Sequence, residues 1–426
     1  MYRLEDQGRK TRYTDELENV RAELDSRNAA GLILPSLPPA KAPDISGAFA
    51  SPCSGKRLRD IARGTKKAVI LVSDATRKVP TADVLPAVME ELLAAGMDER
   101  NVTAVVALGV HRRATESEMR DILGSWWERI FIENHDAFSA ERLVEIGTTS
   151  RGTPLSVNRT AYEADLRITV GKVEPHEFAG FSGGRKSVLP GIAGERTIRE
   201  NHNPQWLMAP GAVPGRLEDN PIHEDMLEAA GMLGVDFAVN LLVDESNRLR
   251  EVFCGDPVES HEAAVAASVR DLRVKLGEPP KIVVTTPGEP LNICLYQAVK
   301  PLIALAPVLA PGGTMILYAK CPEGIDSPDM VRPFEEAESL DGALDYLVEN
   351  YRIQMDHALL LAKIMKGGTE IVVVAPTVPD ETIEKMHMTP AGTLQEAADY
   401  ALNRTRKEAG VLFFPCAQRF LPEIGR

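Results

Sequence analysis

The chain has 426 residues, of which 44% are hydrophobic and 26% are charged, a composition typical of a folded globular protein. This length exceeds what one hydrophobic core usually supports, so it predicts two domains of ordinary size. The formal charge of −14 argues against a general nucleic-acid-binding protein, because neutralising phosphates requires a surplus of Lys and Arg.

The cysteines and the N-terminus bear on the cellular compartment. The five cysteines are scattered along the chain and none forms a Cys-x-x-Cys pair, so we expect neither a disulfide framework nor a zinc–thiolate site. The polar start, MYRLEDQGRK, lacks the apolar segment of a secretory signal, and no apolar run is long enough to span a membrane. These features predict a cytoplasmic protein with no membrane partner.

Strands and helices alternate after a charged, helix-prone start and a Pro-rich segment, Pro35 to Pro43, which predicts an extended connector. Continuous apolar runs with β-branched residues predict buried strands, and apolar residues at helical spacing predict helices. Thr115 and Glu118 form the Thr-x-x-Glu pattern of a capping box, which predicts a helix start. The predicted strands are 66–74, 102–108, 130–132, 166–170, 237–243 and 249–254, and the predicted helices are 83–95 and 257–272.

A second alternation begins near residue 281. It comprises strands 281–286, 314–319, 370–375 and 411–415, a helix at 295–309, and two further helical stretches before residue 370. Such alternation predicts parallel sheets covered on both faces. We therefore predict an α/β fold with two α/β domains, residues 1–272 and 273–426, mostly parallel sheets and an active-site cleft between the domains. The last strand or the tail is a candidate for returning to the first domain.

Polar residues follow the first two predicted strands, at the sheet edge where open α/β folds place their ligands. Asp74 and Thr76 offer hydrogen bonds to hydroxyls or a ribose, and the planar fork of Arg77 can hold a carboxylate. His111 offers an imidazole that can act as a base near neutral pH. Taken alone, these residues are more typical of an Asx-type turn and a surface histidine.

The densest group of reactive side chains lies between Pro175 and His202, in PHEFAGFSGGRKSVLPGIAGERTIRENH. Ser182-Gly183-Gly184 brings backbone N–H groups close to a ligand, and the following Arg185-Lys186 predicts an affinity for phosphate. The P-loop pattern is absent, and glycine at position 180 excludes the zinc motif that His176-Glu177 would begin. By itself, a Gly-Gly pair with a basic pair is more typical of a solvent-exposed turn.

In the second domain, Leu295-Tyr296-Gln297-Ala298-Val299-Lys300 opens the first predicted helix. Gln297 and Lys300 are three residues apart, so they would share a helix face from which to hold a carboxylate or keto group. A solvated helix face is the alternative.

Four motifs together resemble the lactate racemase family, in the same order and at similar separations. They are DATR at Asp74–Arg77, GVHR at Gly109–Arg112, PHEFAGFSGGRKSVLPGIAG…ENH at Pro175–His202 and LYQAVK at Leu295–Lys300. The third motif is specific, whereas the others would be weak alone. The resemblance implies a racemase or epimerase that interconverts configurations at C2 of a 2-hydroxyacid.

The resemblance also implies a nickel-pincer nucleotide, pyridinium-3-thioamide-5-thiocarboxylic acid mononucleotide. By motif position, Lys186 is its covalent attachment point and His202 is the protein ligand of nickel. One imidazole beside a sulfur-rich cofactor is a ligand set that suits nickel. The other implied cofactor-binding residues are Asp74, Thr76, Ser182, Gly183 and Gly184. The glycine loop would receive the phosphate on its backbone donors, and the proteins that build the cofactor are implied partners.

The implied mechanism uses two bases, because racemisation must return a hydride to either face of a planar 2-oxoacid. His111 and His176 would each serve one enantiomer, taking the hydroxyl proton while the hydride moves to the cofactor. Closure of the cleft would exclude water and retain the oxoacid. The implied substrate-binding residues are Arg77, for the carboxylate, and Tyr296, Gln297 and Lys300 from the second domain.

One departure from the family concerns a tryptophan that lactate racemases carry near the substrate in the second domain. The tryptophans here, Trp126, Trp127 and Trp206, all precede that domain. The corresponding segment is Gln354-Met355-Asp356-His357. Its smaller or more polar side chains predict a substrate other than lactate, either larger or more hydroxylated, such as an aldonic acid.

Two other functions stay open from the sequence. A nicotinamide-dependent hydroxyacid dehydrogenase would share the α/β fold, although no G-x-G-x-x-G follows a first strand. A cofactor-free paralogue that binds a hydroxyacid or phosphate would keep the same residue types. Intact-mass analysis with nickel quantification distinguishes these functions from the racemase.

Overall fold

The computed structural model describes residues 29–32, 38, 42–405 and 411–425. The charged N-terminal stretch and most of the Pro-rich connector lie outside these residues. The strands are β1 Ala29–Leu32, β2 Ala68–Ser73, β3 Val102–Ala107, β4 Phe131–Asn134, β5 Leu143–Thr148, β6 Pro154–Asn158, β7 Leu166–Lys172, β8 Pro175–His176, β9 Gly180–Phe181, β10 Phe237–Val243, β11 Leu249–Gly255, β12 Arg273–Leu276, β13 Ile282–Thr285, β14 Thr314–Tyr318, β15 Glu370–Val374, β16 Thr389–Pro390, β17 Val411–Phe413 and β18 Leu421–Ile424.

The helices lie between these strands, and α4 begins with the predicted capping box of Thr115 and Glu118. They are α1 Ile45–Ala50, α2 Leu58–Ala62, α3 Thr81–Ala94, α4 Glu116–Leu123, α5 Arg159–Glu163, α6 Glu195–Asn201, α7 Pro204–Leu207, α8 Pro221–Leu233, α9 Glu259–Leu272, α10 Leu295–Ala298, α11 Lys300–Leu305, α12 Pro328–Glu335, α13 Leu340–Glu349, α14 Asp356–Lys366, α15 Asp380–Lys385 and α16 Leu394–Arg404. None of these described helices is long and apolar enough to cross a membrane.

The chain divides into two compact units. The N-terminal unit covers residues 42–206 and 210–271, and the C-terminal unit covers 29–32, 207–209 and 272–425, within the described residues. The N-terminal unit is built on a six-stranded sheet with the order β11-β10-β7-β2-β3-β4, in which only the pair β10 and β11 is antiparallel. The buried side chains Ile70 and Val72 of β2 belong to the same core as Val84, Val88 and Leu92 of α3. Their spacing puts the three α3 residues on one helix face, and burial of that face holds α3 against the sheet.

The strand order reverses between β2 and β7. From β2 the chain adds β3 and β4 on one side, and it later forms β7, β10 and β11 on the other side. Because β2 is parallel to both β3 and β7, the carboxyl ends of the three strands lie at one edge of the sheet. Open α/β sheets bind ligands outside such a point of reversal. The fold therefore favours a site at this edge.

The C-terminal unit contains a second six-stranded sheet, ordered β1-β17-β13-β14-β15-β16, with every pair parallel. Its core includes Ile282 and Val284 of β13, Val372 of β15, and Leu394 and Ala401 of α16. A separate short pair joins β12 to β18. Both units thus have the predicted α/β character with mostly parallel sheets.

Two helix predictions in the C-terminal unit are wrong. The stretch 295–309 is not one helix but is divided into α10, α11 and a 3-10 turn at Ala306–Val308. Pro301 and Pro307 lack the backbone N–H groups that a continuous helix needs, so the hydrogen-bond ladder breaks there. Three helices, α12, α13 and α14, lie between β14 and β15, where two were predicted.

The division between the units differs from the predicted boundaries of 1–272 and 273–426. Strand β1 is hydrogen-bonded to β17 of the C-terminal sheet, so the start of the described chain does not belong to the first domain. The sequence of β1, AAGL, also suits a helix, and only its pairing defines it as a strand. The last described strands do not return to the first domain either, since β17 pairs with β13 and β18 with β12.

Candidate active site

Each N-terminal motif begins where a central strand ends. Asp74 directly follows β2, the loop to His111 follows β3, and His176 follows β7. These strands are neighbours in the order β7-β2-β3. Residues far apart in the chain are therefore presented from the same edge of the sheet.

Asp74 is buried and binds His111. Its Oδ2 accepts a hydrogen bond from Nδ1 of His111 at 2.9 Å, and its Oδ1 accepts from the backbone N–H of Thr76 at 2.7 Å and from the Thr76 hydroxyl. Burial would raise the pKa of Asp74, but the hydrogen bond from His111 and the charge of Arg77 outweigh it and lower the pKa to about 2. The ionised carboxylate holds the proton on Nδ1, which leaves the lone pair on Nε2 of His111 for use as a base.

The same contacts bear on three predicted ligand-binding residues. Asp74 and Thr76 hydrogen-bond each other, and Asp74 also binds His111, so the hydrogen bonds seen for both are made within the protein. Arg77 is exposed, and its charge contributes to the low pKa of Asp74. Contacts of these three residues with a cofactor or a substrate stay a prediction.

His176 lies on a short hairpin of β8 and β9, where it pairs with Gly180. Gly180 has φ of +74°, and a Cβ there would lie 2.1 Å from the carbonyl oxygen of Arg216, so only glycine fits. The carbonyl of Gly180 accepts a hydrogen bond from the N–H of Gly215 at 2.9 Å. This close approach holds the hairpin, and with it His176, against the loop at residues 215 and 216.

The buried ring of Phe178 contacts three predicted site residues. It packs edge-on against His176 and His202, with ring centroids 4.7 Å and 5.0 Å apart. Nζ of Lys186 lies 5.8 Å from the ring centroid, within the range of a cation–π contact. Phe178 was not among the site residues predicted from the sequence. Its position between the two histidines of one motif was the available signal.

Lys186 and His176 are in direct contact. Nζ of Lys186 lies 3.1 Å from Nε2 of His176, and Nδ1 of His176 lies 3.3 Å from Oε2 of Glu177. The backbone N–H of Ala179 approaches the same Nδ1 at 3.4 Å. Glu177 was considered in the sequence only as part of an absent zinc motif. The structure adds it to the site, at the end of a series of contacts that starts at the lysine.

His202 follows α6 and is buried. Its Nδ1 lies 2.9 Å from the carbonyl oxygen of Ile198, which fixes the proton on Nδ1 and leaves the lone pair on Nε2. The neighbouring Asn201 donates to the buried carboxylate of Asp225 at 2.7 Å, and Asp225 also accepts from the hydroxyl of Thr149. This buried network anchors the helix end that carries His202.

The glycine loop differs from the predicted phosphate cradle. The N–H of Ser182 donates to a backbone carbonyl at 2.9 Å, and the N–H of Gly184 donates to Oδ1 of Asn240 at 3.1 Å. Both donors are used within the protein, so neither is presented to a phosphate in this arrangement. A Cβ on Gly183 would lie 2.6 Å from a methyl of Val173. The glycine is therefore needed for close packing, which the sequence cannot distinguish from close approach of a ligand.

Arg185 is also buried, although the sequence suggested a basic pair that attracts phosphate. Its guanidinium donates to the carbonyls of Ala179 and Phe181 at 3.0 Å and 2.9 Å and lies 2.8 Å from Nε2 of His261. Burial lowers the pKa of Arg185 to about 9, and burial together with the Arg185 charge lowers the pKa of His261 and lowers that of His223 to about 3. Arg185 thus holds the loop that joins His176 to Lys186.

Backbone hydrogen bonds connect the His111 loop to the Lys186 loop. The N–H of Gly109 donates to the carbonyl of Gly191 at 2.9 Å, and the N–H of Gly191 donates to the carbonyl of Lys186 at 3.0 Å. A Cβ on Gly191 would lie 2.4 Å from the carbonyl oxygen of Ser187, so this position also requires glycine. The two loops are therefore held together through their backbones.

In the C-terminal unit, Tyr296 and Gln297 lie on α10, and Lys300 begins α11. Val299, which is in the right-handed helical region, separates the two short helices, and a shared face of Gln297 and Lys300 stays a prediction. The hydroxyl of Tyr296 donates to Oδ1 of Asp356 at 3.1 Å, and its ring centroid lies 4.3 Å from that of His357. The segment that the sequence analysis connected with substrate choice therefore packs against Tyr296.

Comparison with known proteins gives matches over most of the chain. The profile of the lactate racemase N-terminal domain matches residues 16–213, and that of the lactate racemase C-terminal domain matches residues 277–417. A protein named lactate racemase from Thermoanaerobacterium thermosaccharolyticum is 33% identical over 381 residues, which cover 87% of this chain and 88% of the relative. A lactate racemase from Lactiplantibacillus plantarum is 31% identical over 415 residues, 93% and 95% of the two chains.

Similar chains are also found among solved structures. The lactate racemase apoprotein from Thermoanaerobacterium thermosaccharolyticum matches with a TM-score of 0.85 at 32% identity, covering 93% of this chain and 95% of that one. A protein from Thermotoga maritima matches with a TM-score of 0.66 at 21% identity, covering 88% and 99%. At that identity, the second match indicates a shared fold and nothing more.

Proposed function

The chain belongs to the lactate racemase family and is an isomerase that acts on hydroxyacids, and we propose that it interconverts the two configurations at C2 of a 2-hydroxyacid other than lactate. The observation that carries the proposal is a pair of histidines at one edge of the N-terminal sheet. His111 has Asp74 at its Nδ1, and His176 has Glu177 at its Nδ1. Each imidazole is therefore oriented to use Nε2.

Two oriented bases match the requirement of a racemase. To invert C2, the hydroxyl proton must be removed as the C2 hydrogen leaves, and both must be returned to the planar 2-oxoacid for the opposite configuration. A base on one side serves one enantiomer only, so a reversible racemase needs one base for each. We assign these roles to His111 and His176.

Asp74 supports the base role of His111 electrostatically. With its pKa at about 2, the carboxylate is ionised at neutral pH and stabilises the imidazolium that forms when His111 takes a proton. It also holds the tautomer in which Nε2 has the lone pair. Asp74 is therefore a positioning residue, in addition to the cofactor contact proposed for it.

The residues present fit a metal that brings most of its own ligands. Among the described residues, no group of three or more His, Cys, Asp or Glu side chains is arranged to hold a metal ion. His202 supplies one imidazole with its Nε2 lone pair oriented by a hydrogen bond at Nδ1, which is what a nickel-pincer nucleotide requires of the protein. We propose His202 as the nickel ligand, Lys186 as the covalent attachment point, and Asp74, Thr76 and Gly183 as further cofactor contacts. When bound, this cofactor supplies an acceptor and donor for the C2 hydride.

Arg77 is the proposed ligand of the substrate carboxylate. The exposed guanidinium of Arg77 is suited to a carboxylate because its planar fork makes two parallel hydrogen bonds. Tyr296, Gln297 and Lys300 are proposed as substrate ligands of the C-terminal unit, where all three are partly buried. Gln297 lies on α10, and Lys300 begins α11 directly after Val299.

The proposed substrate is larger or more hydroxylated than lactate. Lactate has only a methyl group beyond C2, and a methyl makes no hydrogen bonds. Around Tyr296, this chain instead places the carboxylate of Asp356 and the imidazole of His357. Such polar groups suit a substrate that carries further hydroxyls, as an aldonic acid does. This contact supports the proposal of a non-lactate substrate.

The test uses protein produced together with the enzymes that build the cofactor, which are the proposed maturation partners. Intact mass and nickel content are measured first, and chiral chromatography then follows the inversion of lactate, longer 2-hydroxyacids and aldonic acids. We expect one adduct and one nickel per chain, with the highest kcat/KM on a hydroxylated substrate. The highest activity on lactate would contradict the substrate proposal, and an active chain without nickel would contradict the cofactor.

A labelled substrate tests the hydride step separately. In a hydride transfer, the C2 hydrogen does not exchange with water, so a C2-deuterated substrate gives a product that retains deuterium. If C2 is instead deprotonated by one of the histidines, the label is lost to solvent. Loss of the label at the first turnover would reject hydride transfer while leaving the isomerase assignment intact.

A further inference from the structure

Lys186 makes a contact with the His176–Glu177 pair that inversion at C2 does not need. Nζ of Lys186 lies 3.1 Å from Nε2 of His176, and Nδ1 of that imidazole lies 3.3 Å from the Glu177 carboxylate. A base for a substrate hydroxyl has no use for a lysine at its reactive nitrogen. We infer that these residues are the device by which the protein attaches its own cofactor, with His176 as the base that activates Lys186. This inference rests on the cofactor in the proposed function.

The protonation states that these contacts allow support the assignment. A lysine ammonium has no lone pair and cannot attack a carbon until it loses a proton. As an ammonium, Lys186 can only donate, so Nε2 of His176 accepts and the imidazole hydrogen is on Nδ1, towards Glu177. The N–H of Ala179 approaches the same Nδ1 at the longer distance of 3.4 Å, and it can donate there only in the tautomer whose hydrogen is on Nε2. An activated nucleophile typically contacts a base, and the base in turn contacts a group that orients it. Lys186, His176 and Glu177 have this arrangement.

The backbone around both side chains is held in place by contacts within the protein. The hairpin that carries His176 is fixed at Gly180, whose carbonyl accepts from the N–H of Gly215 at 2.9 Å. The N–H of Lys186 donates to a loop carbonyl at 2.9 Å, and the buried guanidinium of Arg185 holds the carbonyls between the two residues. Contacts that are formed in advance cost little to use at the moment of reaction. The distance between Lys186 and His176 is thus set by the fold.

The attachment step balances without an oxidant or a reductant. Before attachment, the position of the later thioamide is a thiocarboxylate, and Nζ of Lys186 attacks its carbon, so a C–N bond forms and the C–O bond breaks. His176 takes a proton from the ammonium and returns it to the departing oxygen, which takes a second proton from the same nitrogen and leaves as water. One ammonium and one thiocarboxylate therefore give one thioamide and one water, and their charges cancel.

The test measures attachment and not racemisation. Full-length apoprotein is mixed with the nickel-pincer nucleotide, and the adduct on Lys186 is followed over time by intact mass and peptide mapping. We expect His176→Gln to lower the initial rate about 100-fold, as for loss of a general base. Glu177→Gln should lower it about tenfold and Glu177→Asp should restore part of the rate, because Glu177 acts only by orienting the base. His387→Gln, an exposed histidine of the C-terminal unit, should leave the rate unchanged.

A second measurement separates loss of activation from loss of folding. A small acetyl thioester acylates lysines in the same proteins, and the rate at Lys186 is compared with the rate at the exposed Lys66. Slower acylation of Lys186 alone in His176→Gln supports the inference. Attachment at the wild-type rate in a His176→Gln protein that no longer racemises overturns the inference and leaves the proposed function standing. A wild-type chain that racemises without any adduct on Lys186 overturns both the inference and the covalent cofactor.

Discussion

Replacing Asp74 by Asn tests the role of this buried carboxylate in both stability and catalysis. Asn keeps the size of the side chain but removes the charge beside His111, and its amide group can present a donor to Nδ1. His111 then favours the tautomer with the proton on Nε2, and in this tautomer Nε2 cannot act as a base. We expect kcat to fall by about 10²–10⁴-fold, the range expected when a base loses its charged partner.

The stability change follows from the pKa of Asp74. Folding lowers this pKa from 3.8 to about 2, so the ionised carboxylate stabilises the folded state above about pH 4, and this contribution is lost as the pH falls through about 2. A shift of nearly two pH units corresponds to about 2 kcal/mol. All three tryptophans lie in the N-terminal unit with Asp74. Urea unfolding followed by tryptophan fluorescence therefore reports on the unit that contains the substitution.

Asp98→Asn is a matched control for this experiment. Asp98 also has a pKa lowered to about 2, through hydrogen bonds from Arg100, but it is partly exposed and its side-chain hydrogen bonds are to Arg100 and not to His111. We expect the control to keep its activity. The reasoning about Asp74 is refuted if Asp74→Asn retains kcat within about threefold, or if the stability gap to the wild type stays constant between pH 7 and about pH 2.5.

Three further variants test other parts of the site. His202→Ala should lose nickel, measured by elemental analysis, while the organic adduct on Lys186 persists; retained nickel would contradict its role as the metal ligand. Arg185→Lys should lower the free energy of unfolding of the N-terminal unit by about 3 kcal/mol, because the loop carbonyls lose buried donors, and unchanged urea midpoints would refute this. Asp356→Ala should reduce kcat/KM for hydroxylated substrates about tenfold more than for lactate; equal effects on both would show that Asp356 does not select the substrate.

The sequence predicted much of the secondary structure, because that part depends on local patterns. Period and composition located β2, β3, β7 and β10 within about two residues. The capping box at Thr115 was equally local and is confirmed. The helix at 295–309 was wrong because its apolar spacing was weighed without Pro301 and Pro307.

Local patterns do not predict hydrogen bonds between residues that are distant in the chain. Asp74 was interpreted as a ligand for hydroxyls, yet it accepts from His111, 37 residues away. Gly184 was interpreted as a phosphate donor, yet its N–H is taken by Asn240, 56 residues away. A hydrogen bond to a ligand and one within the protein satisfy the same polar group, so the residue type alone does not show which of the two is made.

The sequence by itself determined the candidate site residues, and it predicted that Asp74 and His111 follow strands of a parallel sheet. Only the tertiary structure decided which of these residues meet. The strand order β7-β2-β3 brings the His176 and His111 motifs to one edge, and the packing of Phe178 gathers His176, His202 and Lys186 around one ring. The physical reason is that a strand buried on both faces has nearly the same apolar pattern whichever strand it pairs with. Strand order and ring packing are settled by the whole core and not by any segment of the chain.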